Sequence, residues 1–209
     1  MKHGRSTVAV LGLAAALVAG PAAAQSADPS GIYLGGSLGR SQYKDTCKNL
    51  FIPCEDQDTA WRFFGGYQFN RNWALELGYG DFGEATASGP IPAGGSAAMK
   101  QHSYAFDLSG IGSLYLTERL SLFGRLGLYM GRTTRDVEFS NFPAVNDSKT
   151  NSGFTFGAGL AYNLGRLGVR AEWQRYDNIG TNQNSAIQGQ PSGTDEVDVF
   201  SLGLLIRFF

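Results

Sequence analysis

The final eleven residues, Val199 to Phe209, constrain the fold more than any other stretch. Taken two at a time, they place Phe200, Leu202, Leu204, Ile206 and Phe208 on one face and Val199, Ser201, Gly203, Leu205 and Arg207 on the other. Successive strand residues point to opposite faces, so this is a strand with one greasy side. A sandwich strand would show the same alternation. It would not call for an ending on Phe208 and Phe209 with no polar tail, whereas a lipid-facing strand at the seam of a closed barrel does.

The same rule, apolar outward and small or polar inward, organises seven earlier stretches. In the first, Ile32, Leu34 and Leu38 oppose Tyr33, Ser37 and Ser41; in the second, Trp61, Phe63 and Tyr67 oppose Arg62 and Gln68. The third sets Trp73, Leu75, Leu77 and Tyr79 against Ala74, Glu76, Gly78 and Gly80, and the fourth sets Tyr104, Phe106 and Leu108 against Ala105, Asp107 and Ser109. Phasing of the fourth fails from Gly110 to Leu116, where a bulge at a glycine is expected. Next come Leu122, Leu126, Leu128 and Met130 against Phe123, Arg125 and Tyr129, then Phe154, Phe156 and Leu160 against Thr155, Gly157 and Ala161. The seventh has Leu167, Val169 and Trp173 outward with Arg170, Glu172, Gln174 and Tyr176 inward.

The connections alternate strictly between long and short. Those at 44–59, 81–100, 133–150 and 177–196 are long and rich in polar residues, Gly, Pro, Ala and Ser, and 81–100 reads as a mobile surface loop. Those around Asn70 to Asn72, Thr117 to Arg119 and Gly165-Arg166 are tight. Antiparallel neighbours then collect every long loop at one rim, which is the layout of an outer-membrane barrel. A soluble barrel would have to turn the aromatic rows inward. An eight-stranded barrel has just enough interior for side chains. Trp73, Tyr79, Phe154, Phe156, Trp173, Phe200 and Phe208 with the leucines would overfill it. The expected fold is therefore all-β, an eight-stranded antiparallel up-and-down transmembrane β-barrel.

Residues 1–24 carry a basic lead (Lys2, His3, Arg5), an apolar core and the run Ala22-Ala23-Ala24, and read as a cleaved signal peptide, leaving 25–209 as the barrel domain. Cleavage removes two of 17 basic residues, so 15 face 18 acidic ones and the net charge is −3, with no basic stripe for nucleic acid.

The runs GIYLGGSLGRSQYKDT (31–46), FGGYQFN (64–70), ELGY (76–79), GRLG (124–127), RAEWQ (170–174), NIG (178–180) and SLG (201–203) resemble the transmembrane domain of the OmpA family. Nothing follows Phe209, so the family's periplasmic peptidoglycan-binding domain and its tethering role are not expected. The resemblance implies a barrel interior filled by an ionic network, matched here by Glu76, Arg125 and Arg170 with a further inward acid at Glu172. Ser37, Ala161 and Ser109 or Gly110 stand where the family has charges, so both a plugged and a leaking lumen remain open.

Cys47 and Cys54, six residues apart in the first long loop, are expected to form a disulfide in an exported protein. His102-Ser103 invites a hydrolase reading, but adjacent strand residues face opposite ways and no second histidine survives cleavage, so no enzyme, metal site or cofactor is expected. The expected protein is a monomer in the outer membrane of a Gram-negative bacterium, touching lipid and lipopolysaccharide. Two roles remain: a structural or surface-interaction protein whose four long loops meet a host or phage ligand, and a low-conductance channel for small solutes.

Overall fold

Period-two patterning makes strands, and greasy outer faces with filled inner faces make the sheet close on itself. The computed structural model describes residues 30–44, 54–90, 96–139, 142–179 and 196–208. In chain order these form β1 (Gly31–Tyr43), β2 (Cys54–Glu55), β3 (Gln57–Gln68), β4 (Trp73–Pro90), β5 (Ser96–Tyr115), β6 (Leu120–Phe139), β7 (Phe142–Leu164), β8 (Leu167–Tyr176) and β9 (Val197–Phe208). Every pairing is antiparallel. β1 pairs with both β3 and β9, and β4 with β5, so the eight long strands close into a barrel and β2 is a short addition against Thr86 and Ala87 of β4. No helix among the described residues is long and apolar enough to cross a membrane, which does not bear on a barrel.

At the short-turn rim the backbone is tied by local chemistry. Asn70 Oδ1 accepts the Asn72 and Trp73 amides at 2.9 and 3.0 Å, and Thr117 Oγ1 accepts the Leu120 amide at 2.9 Å. Gly165 takes φ +76° in the two-residue link from β7 to β8, a left-handed conformation that suits glycine.

The outward rows form a continuous apolar band in which Leu38, Phe63, Leu77, Leu126, Phe154 and Leu202 are exposed. Rings gather at both borders. Trp61, Tyr79 and Tyr104 pack in a chain with centroids 5.6 and 6.0 Å apart toward the long-loop rim, and Tyr67 meets Phe69 at 5.3 Å toward the other. Such girdles suit the two interfaces of a bilayer.

Three features depart from the sequence reading. From Gly110 to Tyr115 the pairing with β6 runs without a break, so the expected bulge is absent. Phasing by polarity failed there because Ile111 points inward and is buried. The irregularities lie instead between Asp81 and Glu84 on β4 and between Val137 and Phe139 on β6. The first ends the even-numbered inward row of β4 at Phe82 and moves the inward row to Ala85 and Ala87, through Gly83 at φ +69°, whose amide donates to Asp81 Oδ1 at 3.0 Å. Finally, 81–100 is mostly strand rather than a mobile loop. Glu84 to Pro90 pairs with Ser96 to His102, and β6 and β7 pair in the same way up to Phe139 and Phe142. Four adjacent strands, β4 to β7, thus rise beyond the barrel as one sheet.

Candidate functional site

The inward positions of the eight strands stack into three layers. Nearest the short turns, Tyr33, Phe64, Ala74, Ile111, Phe123, Ala161 and Leu205 form a buried apolar cluster. Toward the long-loop rim a second cluster gathers Tyr43, Phe82, Ala85, Ala105, Tyr129, Tyr176, Ile179 and Val197. Between them lies a charged layer.

Glu76 stands at its centre, completely buried. Its Oε1 accepts from Arg62 Nη1 at 2.9 Å and from Arg125 Nη2, and its Oε2 accepts from Arg170 Nη1 and Tyr33 Oη, both at 2.9 Å. Asp107 is the second hub. Arg62 Nη2 reaches its Oδ2 at 2.6 Å, Arg125 Nη1 its Oδ1 at 3.4 Å, and the Gln174 amide and Tyr176 hydroxyl each donate to Oδ1 at 3.3 Å. Glu172 closes the layer, with its Oε1 2.6 Å from Arg125 Nε.

The structure therefore brings Glu76, Arg125, Arg170 and Glu172 together, and adds Arg62, Asp107, Tyr33, Gln174 and Tyr176. Three buried arginines face three buried carboxylates, so the layer is formally neutral. Neutrality matters because an unpaired buried charge costs several kcal/mol, on the order of 3–5 when one partner of a pair is removed. Strand pleat supplies the geometry: Arg62 opposes Gly80, and Glu76 opposes Gly66 and Ser109, so long side chains cross the lumen over small neighbours. The Arg170 guanidinium lies 4.9 Å from the Phe64 ring centroid and 4.8 Å from that of Phe123, joining the charged layer to the apolar cluster beneath. Above, the rings of Phe82 and Tyr176 approach to 4.6 Å, and the Tyr129 hydroxyl donates to the Asp177 carbonyl.

Arg62 and Asp107 were legible as inward residues, but not as members of the cluster. Their partners lie on other strands, and only the barrel's closure shows which heights coincide. Ser109 and Ala161, where the family charges are missing, are buried on the inner face, and Asp107 brings a carboxylate into the layer one inward position away from Ser109.

The remaining candidates lie elsewhere. His102 faces outward, its Nε2 3.1 Å from both Asp81 carboxylate oxygens, while Ser103 is buried inside, 3.0 Å from Thr133 Oγ1. Cys54 opens β2, whereas Cys47 and the leader at 1–24 lie outside the described residues, and with them the proposed disulfide and cleavage.

Comparison with known proteins agrees with this architecture. A family model described as OmpA-like transmembrane domain matches residues 27–209. Outer membrane protein P5 of Haemophilus influenzae is 27% identical over 190 residues, covering 86% of this chain and 52% of its own length. Outer membrane protein A of Escherichia coli O157:H7 is 30% identical over 178 residues, covering 84% and 47%. The chain spans about half the length of the curated relatives it matches. Among solved structures, Neisserial surface protein A superposes with a TM-score of 0.58 at 13% identity, covering 86% of this chain and 98% of that one. Ail of Yersinia pestis, in complex with the heparin analogue sucrose octasulfate, gives 0.53 at 16% identity, covering 86% and 99%. These two likenesses are likenesses of fold.

Proposed function

As a member of the OmpA-like transmembrane domain family, and so an outer-membrane β-barrel, the chain is, we propose, a closed monomeric scaffold that holds a rigid sheet above the membrane for surface interaction. The carrying observation is the three-layer filling of the lumen. A solute following the barrel axis would meet an apolar cluster, then the Glu76 and Asp107 layer, then a second apolar cluster. That filling favours the structural and surface-interaction reading over the low-conductance channel, since opening a path means parting several charge-assisted bonds at once.

Among the described residues, the raised sheet of β4 to β7 is available to a partner from a host or a phage. Its outward face mixes exposed Lys100 and Arg132 with exposed Glu84, Asp136 and Glu138. Mixed signs favour a protein surface of patterned charge over a uniformly anionic glycan. Below it, the apolar band meets outer-membrane lipid and lipopolysaccharide. A catalytic role has no support: His102 and Ser103 stand on opposite faces, and the relatives are outer-membrane proteins without enzyme names.

Two measurements test this reading. Refolded protein in planar bilayers is expected to show no steady single-channel current, and a reproducible open level would favour the channel. Replacing residues 84–102 by a tight turn should leave a heat-modifiable barrel while abolishing cell adhesion or phage adsorption; retained adsorption and adhesion would remove the surface role from this sheet.

A further inference from the structure

Three arginines of the charged layer are matched by three carboxylates, which leaves no acid over for another arginine beneath them. Arg207 lies on the inward row of β9, two residues closer to the short turns than the buried Leu205, and is itself partly buried. It opposes Tyr33 of β1, and its Nη1 reaches toward β8, 3.4 Å from where a Cβ on Gly168 would stand. The ionisable groups near enough to act on it are the phenols of Tyr115 and Tyr33 and the guanidinium of Arg170. No carboxylate among the described residues does so. A charge withdrawn from water without a counter-ion is unfavourable, so this guanidinium is short of a partner.

The surroundings repeat that imbalance. Among the described residues the short-turn rim also carries Arg71, Arg119 and Arg166 against a single acid, Glu118, so four cations stand against one anion. Arg71 is held over the Tyr115 ring, its Cζ 4.4 Å from the centroid, so Arg71 and Arg207 both lie near the same phenol. Asn163 of β7 opposes Gly168 of β8 and has a buried Oδ1 with no hydrogen-bond partner. A buried acceptor left unmade is costly as well. Gly168 thus lies between a strand that brings an unpaired guanidinium and a strand that brings an unpaired amide oxygen, and it has no side chain of its own to offer either. Leu205 and the apolar cluster around it close the lumen above, so access is from the short-turn side, the periplasmic one in an outer-membrane barrel.

We propose that the periplasmic mouth of the barrel binds a phosphate group, inorganic or in a water-soluble phosphate monoester, on Arg207. The guanidinium fork matches oxyanions bidentately. Four cations against one anion favour the more highly charged oxyanion, and a phosphate monoester carries about −1.5 to −2 near neutral pH where a carboxylate carries one charge. A protonated phosphate oxygen also supplies the donor that Asn163 Oδ1 lacks, which an ionised carboxylate does not. The neighbours Ile206 and Phe208 face the bilayer while Arg207 faces the lumen, so the phosphate arrives from water and not along the lipid-facing wall. This inference rests on the outer-membrane placement and not on the surface-interaction role, so the two fail separately.

The test uses the refolded full barrel in detergent micelles and phosphate-free buffer, titrated calorimetrically with inorganic phosphate, glycerol 3-phosphate and acetate. Saturable binding of a phosphate is expected, with acetate about tenfold weaker. Binding of either phosphate supports the proposal, and their ratio tells a free ion from an ester. Arg207→Gln should lower phosphate affinity about tenfold, the loss of one charge-assisted contact, while Arg40→Gln at the opposite rim should leave it unchanged. Should Arg207→Gln fail to refold, phenylglyoxal modification of the wild type serves in its place: phosphate is expected to protect Arg207, and not Arg40, in peptide maps. No saturable phosphate binding, acetate bound as tightly, an equal loss in both variants, or an Arg207 left unprotected overturns the proposal.

Discussion

Glu76 and Leu77 are consecutive residues of β4, yet one is 0% and the other 59% exposed to the surroundings of the barrel. Glu76 has four named partners from four other strands, while Leu77 answers only to the solvent it faces. The inner face is specified by pairing and the outer face by solubility in hydrocarbon. A substitution inside should thus be judged by what it leaves unpaired, and one outside by what it brings into lipid.

The largest effect is expected at Glu76. Its replacement by Ala leaves three buried arginines against two carboxylates and takes from Arg170 its 2.9 Å acceptor, at a cost of about 3–5 kcal/mol. Urea unfolding in lipid vesicles measures it, and planar-bilayer recording of the same variant shows whether the layer also blocks current. Unchanged stability together with unchanged current would break the contrast at its inner side. The outer side is probed by Leu77→Arg, which should cost about 2–4 kcal/mol between the two aromatic girdles. Because the outer face has no partners to lose, Leu77→Ile should cost less than about 1.5 kcal/mol in the same assay. A large loss for that conservative change would mean that the outer wall too is specified by contacts.

The outer face was the legible one. Alternation along Phe200 to Phe208, Trp73 to Tyr79 and Leu122 to Met130 gives strand, face and membrane exposure together, because lipid imposes one requirement on every outward residue. The inner face obeys no such single rule. Tyr33, Phe64, Ile111, Phe123 and Leu205 are apolar and inward, filling the narrow lumen near the short turns, and Ile111 is the residue that defeated phasing of β5. Arg62 and Asp107 belong to one cluster, yet they lie 45 residues apart on strands that are not paired with each other. The upper hairpins were missed for another reason. Glycine, serine and alanine in 81–100 suggest a loop, but pairing of β4 with β5 and of β5 with β6 organises the segment through backbone bonds that side-chain composition does not report.

Two glycines give the finest version of the comparison. Gly78 faces inward on β4, where an added Cβ would collide with Arg62 Nη2 and Asp107 Oδ2, two groups already held by their mutual bonds. Gly78→Ala must push that pair apart and should cost about 1–3 kcal/mol, the range of an overpacked core. Gly124 faces outward on β6, and a Cβ there meets no atom within 4 Å. Gly124→Ala adds one methyl to the lipid-facing wall and stiffens an extended residue, so its effect should stay within about 0.5 kcal/mol and fall on the stabilising side. Unfolding both variants under the same conditions compares two identical chemical changes, so any difference reports the face alone. If Gly124→Ala proved as costly as Gly78→Ala, backbone strain common to strand glycines, rather than the filled lumen, would be what distinguishes the interior.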